Sequence, residues 1–150
     1  MEPTAPTSVR PCVLVVDDSP DMLRYLKLLL ESDSYRVETV ATGMEALDRL
    51  RKGDVPNVVL LDLQMPGMDG LKTLRKLRKL HPDLKVIICS GSEDASQRQK
   101  AAMLGAYSYL TKPVHHLYLS AVLERCLSDS TGKGTHSLGN LVQFHPIRWQ

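Results

Sequence analysis

Three aspartates, a serine and a lysine stand where this sequence stops being apolar. Asp17 and Asp18 follow CVLVV, Asp62 follows VVLL, Ser90 follows VIIC, and Lys112 comes two residues after YSYL. Carboxylates held within a few ångströms of one another repel, raise their pKa values and take up protons. A divalent cation removes that conflict. Magnesium prefers oxygen ligands, keeps several waters and binds through one or two carboxylates plus phosphate oxygens. Asp18, Asp62 and a backbone carbonyl suit it as direct ligands, with Asp17 acting through water. An oxygen nucleophile flanked by Mg2+ and an ammonium is equipment for phosphoryl transfer, in which charge spreads over the equatorial phosphate oxygens.

Singly, each residue has a plainer use. An aspartate after a strand often caps a helix or forms a turn, and a lysine is usually solvated. Their joint placement at corresponding positions is what points to chemistry. Lys112 also precedes Pro113, so the bond between them is a candidate cis peptide that would aim the ammonium at the same rim.

These residues share a rim only if the apolar runs at 13–16, 37–40, 58–61, 86–89 and 107–110 are strands of one sheet. The segments between them have helical periodicity. In the first, Met22, Leu23, Leu26, Leu29 and Leu30 share a face, Ser19 is an N-cap and Pro20 a first-turn proline, with an end near Ser34. The second, 44–51, turns Ala46, Leu47 and Leu50 inward. The third, 71–80, carries a stripe of Leu71, Leu74, Leu77 and Leu80. Its other side holds Lys72, Arg75, Lys76, Arg78 and Lys79, read as a solvated face. A fourth helix spans 95–104 and closes on Gly105. The fifth, 115–127, is expected to bury Leu117, Ala121, Leu123, Cys126 and Leu127.

Five alternations with short connections, and strands apolar at consecutive positions, predict an α/β doubly wound parallel sheet with helices on both faces. Ligands of such sheets gather beyond the carboxyl ends of the strands, where strand order reverses. The chain of 150 residues, 43% hydrophobic, suits one domain at 11–128. A flexible segment 1–10 and a linker or tail 129–150, first Gly-, Ser- and Thr-rich, flank it.

A net charge of +2 offers no overall field for nucleic acid, and there is no helix-turn-helix or zinc signature, so no direct nucleic-acid partner is expected. Cys12, Cys89 and Cys126 lie far apart in apolar surroundings, as reduced, buried thiols of a cytoplasmic protein do. No signal-type apolar region and no membrane-length apolar stretch is present, so neither export nor a membrane span is expected. GKGT at 132–135 lacks the earlier glycine of a phosphate-binding loop.

The motifs VVDDSP, LLDLQMPGMDG, ICSGS and YLTKP, in this order and at these strand ends, resemble the receiver domains of two-component response regulators over about residues 11–128. The resemblance implies a five-stranded, flavodoxin-like (CheY-like) sheet of order 2-1-3-4-5 with five helices. It implies that Asp62 takes a phosphoryl group from the phosphohistidine of a histidine kinase or histidine phosphotransfer protein. Asp18 would then ligate Mg2+ directly, Asp17 through water, and Gln64 through its backbone carbonyl. Lys112 and the switch hydroxyl of Ser90 would meet phosphate oxygens, and Tyr109 would be the aromatic switch. Output to a downstream protein or domain would run through the fourth helix, fifth strand and fifth helix, including Arg98, Lys100 and Tyr118, and a homodimer formed on phosphorylation is a further implication. Tyr107, two residues before Tyr109 and expected on the same strand face, leaves open which tyrosine moves.

Gly91 stands where the family usually has alanine and Val114 where phenylalanine is common, while Gln64 and Ser92 occupy positions that tune dephosphorylation in the family. Three other readings compete with a phospho-acceptor switch that is not itself an enzyme. A phosphatase using an aspartyl phosphate is opposed by the absence of D-x-D spacing at Asp62. A scaffold that is never phosphorylated is opposed by the intact acidic set. The last is the receiver part of a longer regulator with a DNA-binding or enzymatic output.

Overall fold

The computed structural model describes residues 10–65 and 67–129. Strands and helices alternate without exception: β1 (Cys12–Val16), α1 (Pro20–Ser32), β2 (Arg36–Val40), α2 (Gly43–Arg51), β3 (Val58–Leu61), α3 (Gly70–Leu80), β4 (Val86–Ser90), α4 (Ala95–Met103), β5 (Ser108–Thr111) and α5 (His116–Ser128). All strand pairs are parallel, in the order β2-β1-β3-β4-β5. The predicted doubly wound sheet and its strand order are both observed.

Helix starts follow local chemistry. The side-chain oxygens of Ser19, Thr42, Asp69 and Asp94 accept from backbone N–H groups of Met22, Glu45, Lys72 and Ser96, satisfying donors that the first turn leaves unpaired. Pro20, which has no N–H to lose, occupies the first turn of α1. The predicted cap and proline of α1 are thus in place, though the helix stops at Ser32 and Ser34 takes a positive φ of 71°.

β1, β3 and β4 are buried along their whole length, because helices cover both of their faces. Alternate residues feed two core layers. Val13, Val15, Leu60, Ile87 and Cys89 pack with Leu26 and Leu30 of α1 and with Leu119, Leu123 and Cys126 of α5. Leu14, Val16, Leu61 and Ile88 pack with α2, α3 and Ala101 of α4. All three cysteines are free and buried, and burial pushes the thiols of Cys89 and Cys126 up to about 12.

Three expectations need correction. β5 starts at Ser108, so Tyr107 precedes the strand and packs on the α1/α5 layer, whereas Tyr109 packs on the α2–α4 layer; the two do not share a face. Leu117, 81% exposed, and Ala121 both lie on the exposed side of α5, because its inward stripe is Leu119, Val122, Leu123 and Cys126, at helical spacing from one another but not from Leu117 or Ala121. Leu80, on the last turn of α3, is 37% exposed and so does not complete the buried stripe of Leu74 and Leu77. Apart from Arg10 and Asp129, the expected segment 1–10 and tail 129–150 lie outside the described residues. Among the described residues, no helix is long and apolar enough to cross a membrane.

Candidate functional site

Sheet register brings the acidic residues together. Val16 of β1 pairs with Val40 on one side and Leu61 on the other, and the next residues, Asp17 and Asp62, continue the ladder through Asp17 N–H to Val40 O and Asp62 N–H to Val16 O. One carboxylate oxygen from each of Asp17, Asp18 and Asp62 lies within 4.8 Å of the others. Asp17 and Asp62 are buried, while Asp18 is exposed, and its carboxylate makes no hydrogen bond or ion pair among the described residues.

Lys112 enters from β5. Its backbone N–H donates to Ser90 O, and the Lys112–Pro113 peptide is cis, as the sequence suggested. Nζ donates to Asp17 Oδ2 at 2.9 Å and stands 3.5 Å from Asp62 Oδ2. Burial disfavours the ammonium, but its hydrogen bond to Asp17 and the charges of Asp62 and Asp17 outweigh it, leaving the pKa above the ordinary lysine value.

Asp62 is shifted by a different balance. Burial raises its pKa, and this outweighs the Gln64 backbone N–H, which donates to Oδ1 at 3.0 Å, and the nearby Lys112. On the other flank, Asp17 Oδ1 accepts from Ser19 N–H at 2.9 Å, which turns the chain directly into α1.

From Ser90 a chain of contacts leads away from the acids. Ser90, fully buried at the end of β4, accepts from Ser92 N–H at 3.2 Å, so its own proton stays available. Ser92 O accepts from the Tyr109 hydroxyl at 3.0 Å, and the Arg98 guanidinium of α4 lies 5.1 Å from the centre of the Tyr109 ring. Tyr109 is therefore a buried residue and not part of an exposed surface. The structure thus gathers Asp17, Asp18, Asp62, Lys112, Ser90 and the Gln64 backbone at one rim, with Tyr109 reached through Ser92.

Sequence reasoning missed an anchor between α1 and α5. Asp33, which caps the end of α1, accepts from Ser120 Oγ at 2.7 Å and lies 3.1 Å from His116 Nε2. No local signal marks it, because its partners are 83 and 87 residues away.

Residues 13–124 match the family described as the response regulator receiver domain. The chain belongs to that family. Other comparisons agree with the receiver assignment. The receiver is 37% identical over 106 residues to the C4-dicarboxylate transport transcriptional regulatory protein DctD of Rhizobium meliloti, covering 71% of this chain and 23% of that protein. It is 32% identical to the uncharacterized transcriptional regulatory protein YkoG of Bacillus subtilis, covering 91% of this chain and 59% of that protein. It therefore spans a quarter to three fifths of these relatives. A solved CheY-like receiver domain protein from Methanospirillum hungatei superposes with a TM-score of 0.79 at 30% identity, over 84% of this receiver and 100% of that chain.

Proposed function

We propose that this receiver takes a phosphoryl group onto Asp62 in a Mg2+-dependent reaction and thereby alters its protein-binding surface. The observation that carries the reading is the convergence of three carboxylates and one ammonium at a single rim. The donors suit Mg2+: they are hard oxygens, and the charge of three carboxylates is met by one lysine. Asp18 and Asp62, with the Gln64 backbone carbonyl, are the direct ligands by resemblance, and Asp17 acts through water. When bound, the ion offsets negative charge on the transferring phosphoryl group and holds its oxygens in place.

The rest follows from the chain's own residues. Asp62 must be ionised to attack phosphorus, although burial favours its protonated form, so the Lys112 charge supports the nucleophile. As the new O–P bond forms, the P–N bond of the phosphohistidine donor breaks and its electron pair returns to the imidazole. The added group brings nearly two negative charges and strong acceptor oxygens. It competes with Asp17 for Lys112 and offers an acceptor for the free Ser90 proton. Movement of Ser90 would disturb Ser92 and through it Tyr109 and Arg98, which supports output through α4, β5 and α5.

In this reading the domain, taken as residues 11–128, carries no catalysis beyond its own phosphorylation and dephosphorylation. Its donor is a cytoplasmic histidine kinase or histidine phosphotransfer protein. Its output is a downstream protein or an attached domain, or a homodimer formed on phosphorylation. Intact-mass spectrometry after incubation with acetyl phosphate tests the core of it. A Mg2+-dependent, hydroxylamine-labile gain of one phosphoryl group, absent in Asp62→Asn, is expected. Labelling that persists in Asp62→Asn would overturn the assignment of Asp62.

A further inference from the structure

α3 carries Lys72, Arg75, Lys76, Arg78 and Lys79 within eleven residues and no acidic residue. Arg78 is used internally: it donates to Leu84 O at 2.6 Å, and its guanidinium packs against Gly105 so closely that a Cβ there would lie 2.6 Å from Nε. The other four are exposed, and none has a side-chain hydrogen bond or ion pair among the described residues. Their spacing of i, i+3, i+4 and i+7 places them in one straight ridge about 10 Å long. Leu80, 37% exposed, borders the ridge at its far end.

On α1 and α2 helical charges are paired. Arg24 meets Asp21, Lys27 meets Glu31, and Arg51 meets Asp48, each one turn apart. On α3 the same neighbouring positions hold like charges, each pair of which weakens an isolated helix. α3 lies between α2 and α4 in the middle of its layer, so its outward face is not covered by the fold.

We infer that the outward ridge of α3 docks an acidic helical segment of another protein. A partner helix with Glu or Asp at the matching i, i+3, i+4 and i+7 positions pairs with the ridge along its length, and an apolar residue beyond them meets Leu80. Charge outside the ridge favours a short acidic helix over an extended polyanion. The whole chain carries only +2, so everything outside α3 is net negative and repels the flanks of a nucleic acid or an anionic membrane.

The test uses the full chain and a labelled synthetic helical peptide with glutamates on one face and a leucine at the end. Controls are a peptide of the same composition with its glutamates distributed around the helix, a DNA duplex, and phosphatidylserine vesicles, all at near-physiological salt. The expected result is roughly tenfold tighter binding of the one-faced peptide than of its distributed control, with amide shifts confined to α3. The quadruple variant Lys72→Gln, Arg75→Gln, Lys76→Gln, Lys79→Gln should lose that preference while unfolding at or above the wild-type temperature. The single variant Lys76→Glu, with one changed surface side chain, should weaken it several-fold and is the readout should the quadruple variant fail to fold. Equal affinity for the two peptides, or a preference that survives in both variants, would overturn the proposal. So would tighter binding of the duplex or the vesicles that depends on the same residues.

Discussion

Lys112 Nζ donates to Asp17 Oδ2 at 2.9 Å, so the rim ammonium is bound to a carboxylate other than the proposed phospho-acceptor. Asp62 Oδ2 is 3.5 Å from the same nitrogen. Lys112 thus bridges two buried like charges and lies nearer to the one that is not the proposed phospho-acceptor. Variants at Lys112, Asp62 and Asp18 separate the structural work of these rim residues from their proposed chemical work.

Replacing Lys112 by methionine keeps most of the side-chain volume and leaves Asp17 and Asp62 facing each other without a cation. A loss of about 2–4 kcal/mol in urea unfolding is expected at pH 7 in EDTA. Because the folded pKa of Lys112 is raised, its stabilisation is complete below the ordinary 10.5 and disappears as pH rises through the folded value. The penalty should also shrink in acid as Asp62, whose pKa burial raises, protonates.

Asp62→Asn is expected to stabilise the fold. A carboxyl whose folded pKa is raised above 3.8 favours folding when protonated, and that contribution is lost as pH rises through the raised value. At pH 7 in EDTA the amide should therefore melt roughly 3–5 °C higher than wild type. The difference should vanish at and below pH 3.8, and an unchanged difference there would point to packing instead of charge.

Asp18 is exposed and makes no hydrogen bond or ion pair among the described residues, so Asp18→Asn removes little that holds the fold. Mg2+ affinity, read by calorimetry, should fall about tenfold or more, while the melting temperature in EDTA stays within about 2 °C. An unchanged affinity would exclude Asp18 as a ligand.

The α1–α5 anchor makes an opposite pH prediction. The hydrogen bond from Ser120, outweighing desolvation and helped by His116, holds the Asp33 pKa below 3.8. Its contribution is present above that ordinary value and is lost as pH falls through the lowered one. Asp33→Ala should lower the melting temperature by about 2–4 °C at pH 7, with the gap closing only in strong acid.

Gly70 couples α3 to the site. A Cβ there would lie 2.3 Å from Leu63 Cα and 2.9 Å from Asp62 O, and backbone cannot give way as a flexible side chain can. Gly70→Ala should cost about 2–3 kcal/mol and slow acetyl-phosphate labelling by displacing Asp62. Normal labelling in a destabilised Gly70→Ala would show that the loop relaxes without moving the carboxylate.

Much of the site was legible because it is built by topology. Once β1, β3, β4 and β5 are parallel and aligned, whatever follows each apolar run arrives at one rim, so Asp17, Asp62, Ser90 and Lys112 were readable as a set. Strand facing was less legible at β5. One residue of uncertainty in where a strand starts decides whether Tyr107 belongs to it, and with Tyr107 outside, the period-two rule no longer relates it to Tyr109. Leu117 misled for a related reason, since composition cannot tell which apolar residues of a helix lie on the stripe that meets the sheet.

The sequence by itself determined the alternation of strands and helices, the N-cap at Ser19, and the residue types delivered to the rim, because these depend on neighbours within a few positions. Tertiary structure alone decided that Lys112 prefers Asp17 over Asp62, that Asp33 joins His116 and Ser120, and that Ser92 lies between Ser90 and Tyr109. Apart from the step from Ser90 to Ser92, those contacts link residues from 17 to 95 positions apart, and differences of less than an ångström set by packing decide which partner wins.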